Sequence, residues 1–305
     1  MITERQSISL SVNPLYKCNS NCPFCYLGSL KDNKNILDLT YLMNTLNSLS
    51  YRYNINSIDI YGGEISLLSE FYFDMITKLC KTFSKNVSIT TNFVEFNKPI
   101  INNFDEIGVS LDFNKFRDNQ SKVYTNIKAA SEIGKVINVL SLDISCQDNK
   151  EEIIDTLNNL KIKSWRIIPY SKSKETMYPF KGYTFFEDTV REFLKLQHKM
   201  KFSFINKLQL DGIINEDFYN TSHFYITPNN KIALLKFNEN NEEYFEEYDK
   251  LDDLYNEVKN EQLKQEEYCA TCSIKNKCLA EHINYNYKGD SCPGFKNLIL
   301  NYKNE

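Results

Sequence analysis

The chain has no run of about 18 apolar residues, so no membrane-spanning helix is expected. Its first six residues carry charge and no apolar segment, so no secretory signal is visible. The sequence passes straight to its first strand, no N-terminal peptide-recognition domain is expected, and a cytoplasmic location is. There is no internal repeat and no low-complexity linker. A basic patch is missing too: 36 Lys and Arg stand against 40 Asp and Glu, a net charge of −4, so no nucleic-acid partner is expected. Acidic residues are concentrated in one place. Residues 239–267 hold 12 Asp and Glu against three Lys, a net of −9, which reads as the solvated face of a helix around 251–263 rather than a docking surface. With those classes set aside, 305 residues, 42% apolar and 25% charged, describe an ordinary globular chain with a sizeable core, in one large domain or one large and one small.

Cysteine is what the chain has in excess. Nine are present, an odd number, and in a reducing compartment disulfides are not expected. Metal ligation or redox chemistry is the better expectation. Seven of the nine fall into two clusters, Cys18, Cys22 and Cys25 near the start and Cys269, Cys272, Cys278 and Cys292 near the end, while Cys80 and Cys146 stand alone.

From residue 7 to about 170, short β-like runs alternate with segments of helical apolar spacing. Strands are expected at 7–12, 57–61, 87–91, 106–111, 136–144 and 164–169, with helices at 36–53, 67–83, 121–133 and 150–160. Strands alternating with helices imply a parallel sheet, and six such units give an α/β fold, a partial (β/α)6 TIM-like barrel. In such barrels chemistry sits at the C-terminal ends of the strands. Beyond residue 170 the pattern changes: a helix near 185–200, then a hairpin whose strands, 223–227 and 231–237, flank Pro228-Asn229-Asn230. The expected division is a core at 1–170, a bridging segment at 171–222 and a small hairpin-plus-helix subdomain at 223–305.

Just after the first strand, Cys18, Cys22 and Cys25 have the spacing C-x3-C-x2-C, with no fourth Cys nearby. Three thiolates on one loop hold three corners of a metal unit and leave a position open, which is reactive rather than closed and structural. Zinc fits; so does [4Fe–4S], whose open iron could bind a cofactor or substrate.

The run Cys18-Asn19-Ser20-Asn21-Cys22-Pro23-Phe24-Cys25 resembles the signature of radical S-adenosylmethionine (SAM) enzymes, with Phe24 at the aromatic position. The resemblance implies that the three cysteines ligate three irons of a [4Fe–4S] cluster and that the fourth iron chelates SAM. Reductive cleavage of SAM would give a 5′-deoxyadenosyl radical that abstracts hydrogen from a substrate, with Phe24 beside the adenine. Gly62-Gly63-Glu64 after the second strand is similar to the family's Gly-Gly-Glu motif, which implies that Glu64 holds the SAM amino group. Asn92 ends the third strand, and Ser110-Leu111-Asp112 looks like the family's Ser-x-Asp segment near the SAM ribose and carboxylate. Arg166 on the sixth strand is a candidate partner for a SAM or substrate carboxylate. Cys146, after the fifth strand, is a candidate hydrogen-atom donor, with a buried inert thiol as the plainer reading. Tyr16, Tyr26, Tyr61 and Tyr170 read as packing around the same pocket.

The second cluster runs Cys269-x2-Cys272-x5-Cys278-x13-Cys292. Four cysteines close a site, for zinc or for a fully ligated [4Fe–4S]. Beside a radical SAM core the run resembles the SPASM and twitch subdomains, which carry auxiliary clusters. Where that family has a further cysteine this chain has His282, and the hairpin holds none. One auxiliary [4Fe–4S] cluster, structural or relaying electrons, is therefore expected. The resemblance implies an enzyme acting on a ribosomally made peptide, by crosslinking, thioether formation or epimerisation. The alternative is a dehydrogenase or rearrangement enzyme acting on a small amino-acid-like or sugar-like metabolite. An electron donor such as a flavodoxin or ferredoxin is the implied partner, and no membrane is.

Overall fold

The computed structural model describes residues 5–113, 117, 119–174, 176, 178–214, 222–274, 292 and 294–302. Cys278 and His282 lie outside these residues. The first six strands are β1 (Ser7–Val12), β2 (Asn54–Ile60), β3 (Asn86–Thr91), β4 (Glu106–Ser110), β5 (Val136–Leu142) and β6 (Ser164–Ile168), each parallel to the one before. Between them run α1 (Leu39–Arg52), α2 (Glu70–Phe83), α3 (Lys98–Asn103), α4 (Gln120–Glu132) and α5 (Lys150–Leu160). Side chains set where the helices begin: Asp38, Ser69, Asn97 and Asn149 each accept from a backbone N–H one turn on. The fold is α/β with a parallel-strand sheet.

The remaining chain extends this sheet. After β6 come α6 (Tyr183–Lys195), the two-residue β7 (Ser203–Phe204) beside β6, and α7 (Ile205–Ile214). The hairpin expected at 223–237 forms as β8 (Ser222–Thr227) and β9 (Lys231–Phe237), followed by β10 (Glu243–Tyr248), α8 (Leu251–Tyr268) and α9 (Lys296–Tyr302). β8 lies parallel against β1, so the arm joins the parallel strands directly, and the order across the sheet is β10-β9-β8-β1-β2-β3-β4-β5-β6-β7. The helix expected around 251–263 forms as α8, and the acidic stretch before it also holds strand β10, which was not expected. Among the described residues no helix is long and apolar enough to cross a membrane.

Strands buried on both faces in parallel sheets tend to be apolar throughout, but here they alternate. Ile8, Leu10 and Val12 of β1 enter the core, while Ser9 and Ser11 line a cavity. Phe224 and Ile226 of β8 do the former, His223 and Tyr225 the latter. One face of the sheet packs on helices and the other bounds a polar-floored space.

Candidate active site

The cavity has a volume of about 730 Å³ and opens over the C-terminal ends of the strands. That is within the usual range for a small-molecule site, about 300–1,000 Å³. Cys18, Cys22 and Cys25 line it, and so do Phe24, Gly62, Gly63, Asn92, Ser110 and Arg166. Four stretches of chain that are remote in sequence thereby meet the cysteine loop.

Close backbone packing explains the glycines. A Cβ on Gly63 would lie 2.2 Å from the carbonyl oxygens of both Tyr16 and Lys17, and one on Gly62 would lie 2.6 Å from that of Leu15. The Gly63 N–H donates to Leu15 O and the Glu64 N–H to Lys17 O, each at 2.9 Å, which fixes the turn against the backbone just before Cys18. Donors also point at the sulfurs: Ser20 N lies 3.4 Å and Asn92 Nδ2 3.8 Å from Cys18 Sγ, and Arg117 Nη1 lies 3.9 Å from Cys22 Sγ. Asn92 Nδ2 further donates to Asn19 Oδ1 at 2.8 Å and Ser20 Oγ at 3.1 Å, tying the end of β3 to the cysteine loop. Burial pushes the Cys22 thiol up to about 11, against a smaller opposing pull from Arg117. Cys18 is raised for the same first reason. Among the described residues no three His, Cys, Asp or Glu side chains converge on the position of a single ion; the three thiols share the cavity wall instead.

Glu64, Asp112 and Cys146 do not line the cavity. Glu64 is buried, and its carboxylate accepts from Ser66 N at 2.9 Å, Thr91 Oγ1 at 2.6 Å and Asn92 N at 2.7 Å. It thus holds the end of β3 in place. Asp112 is likewise buried, and accepts from Arg117, Leu142 N and Ser145 Oγ. Cys146 is fully buried behind the short helical turn Asp143–Ser145, with its thiol donating to Leu142 O at 3.3 Å, and burial raises its pKa well above the ordinary value. This is the buried thiol of the plainer reading, and it does not line the cavity. Cys269, Cys272 and Cys292 are half-buried near α8 and α9. The motifs missed Lys31, Asp59, Arg117 and His223, all of which line the cavity. Asp59 and His223 could have been suspected as polar residues in alternating strands; Arg117 follows no motif.

A family model described as the radical SAM superfamily matches residues 12–194. The chain belongs to the radical SAM superfamily. Among solved structures it is similar to Streptococcus suis SuiB bound to S-adenosylmethionine (TM-score 0.64, 16% identity, covering 90% of this chain and 72% of that one). It is similar also to SuiB bound to precursor peptide SuiA (0.55, 16%, 75% and 59%). A third is native anSMEcpe with bound AdoMet (0.59, 18%, 74% and 74%). At these identities the likeness is one of fold, and the chain spans only 59% of SuiB's length in the peptide complex. No curated protein matches the chain. Membership of the radical SAM superfamily implies a [4Fe–4S] cluster and SAM. The residues fit such a pair: three thiols on one wall, N–H donors aimed at two of the sulfurs, and a glycine turn that brings backbone to the cavity edge.

Proposed function

We propose that this radical SAM protein modifies a ribosomally made peptide. Cys18, Cys22 and Cys25 hold the cluster, and Gly62-Gly63, Asn92, Ser110 and Arg166 surround the SAM beside it. The single observation that carries the reading is the convergence of the three cysteines and Gly62-Gly63 on one cavity. When bound, the cluster and SAM together supply reductive SAM cleavage and hydrogen abstraction from substrate. The protein's own part is positional. Phe24, buried on the cavity wall, presents a ring face for stacking. Gly62 and Gly63 let backbone approach the ligand. Glu64 acts from behind, by holding Thr91 and Asn92. Arg166, on β6, offers a cation to a carboxylate in the cavity.

A peptide substrate is supported by the fold shared with SuiB and anSMEcpe, whose structures hold a precursor peptide and the Kp18Cys peptide respectively. Cys269, Cys272, Cys278 and Cys292 complete the reading as ligands of one auxiliary [4Fe–4S] cluster, and a flavodoxin or ferredoxin serves as electron donor.

Anaerobic reconstitution tests this. The chain should take up about eight irons as two cubane clusters and release 5′-deoxyadenosine from SAM under dithionite. Replacing Cys18, Cys22 and Cys25 together by Ala should leave about four irons and abolish SAM cleavage. A colourless, zinc-loaded protein would sink the reading, as would 5′-deoxyadenosine from the triple variant. A short peptide encoded beside the gene is the substrate to offer first, with mass loss of two hydrogens or a D-residue as the product sought.

A further inference from the structure

The cavity wall carries a fixed charge that no motif explains. Arg117 comes five residues after Asp112 and is joined to it: Nε donates to Asp112 Oδ2 at 2.5 Å. Its guanidinium carbon lies 5.2 Å from the centre of the Phe24 ring, and Nη1 is 3.9 Å from Cys22 Sγ. It is also within electrostatic reach of Cys25. The carboxylate that anchors it is immobile in turn, since Asp112 Oδ1 accepts from Leu142 N at 2.6 Å and Ser145 Oγ at 3.0 Å. One guanidinium is therefore held by a carboxylate on one edge, an aromatic face on another and a ligand sulfur on the third. A guanidinium stays charged at any working pH and its fork suits such multiple anchorage.

We infer that Arg117 is a positioning residue that keeps a permanent positive charge against the Cys22 sulfur and so raises the reduction potential of the cluster held by Cys18, Cys22 and Cys25. The inference rests on the three-thiolate reading given above. Reduction adds an electron to the cluster, so a nearby cation stabilises the reduced state more than the oxidised one. Net charge and hydrogen bonds at the sulfurs are the main settings of such potentials. Ser20 N and Asn92 Nδ2 also donate to the triad but are neutral and address Cys18; Lys31, donating to Ser20 O, acts on Cys18 and Cys22 through space, whereas Arg117 sets its charge directly against the Cys22 sulfur. This gives Asp112 a different duty from the one expected of it: it aims Arg117.

The test is a redox titration of the anaerobically reconstituted full chain, following by electron paramagnetic resonance the signal that SAM addition alters. Arg117→Gln should move its midpoint to a more negative value, whereas Arg117→Lys, which keeps the charge, should stay near wild type. The signal that SAM does not alter should titrate unchanged in both. If the Gln variant alone fails to load iron, Arg117→Met is titrated in its place with the same expectation, and a midpoint at the wild-type value overturns the inference. If the Gln and Lys variants titrate alike, or fail to load alike, Arg117 is packing and the inference is overturned. A wild-type chain that takes up no iron overturns instead the three-thiolate reading beneath it.

Discussion

In the parallel body the carboxylates of Glu64, Asp112 and Asp143 are at most 2% exposed, and each accepts from at least one backbone N–H. In the C-terminal arm Lys236 of β9 meets Glu246, Glu257 and Glu261, which keep 39%, 22% and 20% of their side-chain surface. The body uses buried charge to fix backbone at strand ends, directly behind the cavity wall. The arm uses half-exposed charge to join one strand to the strand and helix beside it. The first kind of contact is costly to break and insensitive to salt. The second is cheap and screened by it.

The largest effect should come from Glu64→Ala. It strips acceptors from Ser66 N, Thr91 Oγ1 and Asn92 N at once, all of them buried. A loss of about 4 kcal/mol in denaturant unfolding is expected, in line with removing one partner from a buried charged network. A loss under about 1 kcal/mol would mean that the body's carboxylates are no more demanding than the arm's ion pairs. A steric version of the same contrast comes next. Gly63→Ala puts a methyl 2.2 Å from two backbone oxygens, for about 3 kcal/mol, and should also lower iron uptake by displacing the cysteine loop. In the arm, Asn230→Ala at the hairpin turn, where φ is 58°, should cost only about 1 kcal/mol and leave uptake unchanged. Equal costs at the two positions would erase the distinction.

The body was legible because local and global signals agree there. Strand 7–12 and helix 150–160 form with the expected ends: Ser-rich β1 alternates cleanly, and Asn149 caps α5. Gly134, at φ 82°, ends the segment after α4. β10 was hidden inside the acidic stretch, because Glu-Tyr-Phe-Glu-Glu-Tyr suits an exposed helix equally well and only pairing with β9 decides for a strand. The short β7 and α3 fall below any periodic signal. The cysteine loop, Gly62-Gly63, Asn92 and Ser110 could be found because spacing and strand ends mark them. The partners of Glu64 and Asp112 could not: whether a strand-end side chain faces the cavity or turns behind its wall depends on one or two backbone angles after the strand. Arg117 was out of reach for a related reason, since its partners lie in the cysteine loop and in Asp112, and the fold alone joins them.

A pH experiment sharpens the comparison on the body's side. Asp143 accepts from Ile144 N at 2.7 Å and Tyr170 N at 2.9 Å, yet burial outweighs both and pushes its carboxyl up to about 7. The unfolded chain gives up this proton near pH 4, the native chain near pH 7. Between those values the native state binds more protons, so the contribution of Asp143 to stability falls as pH rises. Asp143→Asn removes that dependence. The stability of wild type minus variant should decline across pH 4 to 7 by at most about 1.4 kcal/mol per unit, and level off above it. Parallel curves for the two proteins would show that Asp143 is ionised throughout. Ile144 and Tyr170 pack with Cys22 and Phe24, so the same variant reports on the support of the cysteine loop.

The smallest effect, and the one that separates the two regions most cleanly, belongs to Lys236→Met. Lys236 is 10% exposed and its ammonium lies 2.5 Å from Glu246 Oε2, close to Glu257 Oε1, and 3.6 Å from Glu261 Oε1. Burial pulls its pKa down, but Glu246 and Glu257 together outweigh burial and raise it above the ordinary lysine value. Methionine keeps the stem's packing on β9 and removes only the charge, leaving three carboxylates to repel one another. Because all three stay partly in water, the loss should be about 1 kcal/mol at low salt. It should shrink toward zero near 1 M salt, where the screening length falls to about 3 Å and both the lost attraction and the new repulsion are damped. The deficit of Glu64→Ala, made of unsatisfied buried donors, should keep its size across the same salt series. If the Lys236 deficit instead persisted undiminished at high salt, the arm would be held by desolvated pairs as the body is, and the contrast between the two regions would fail.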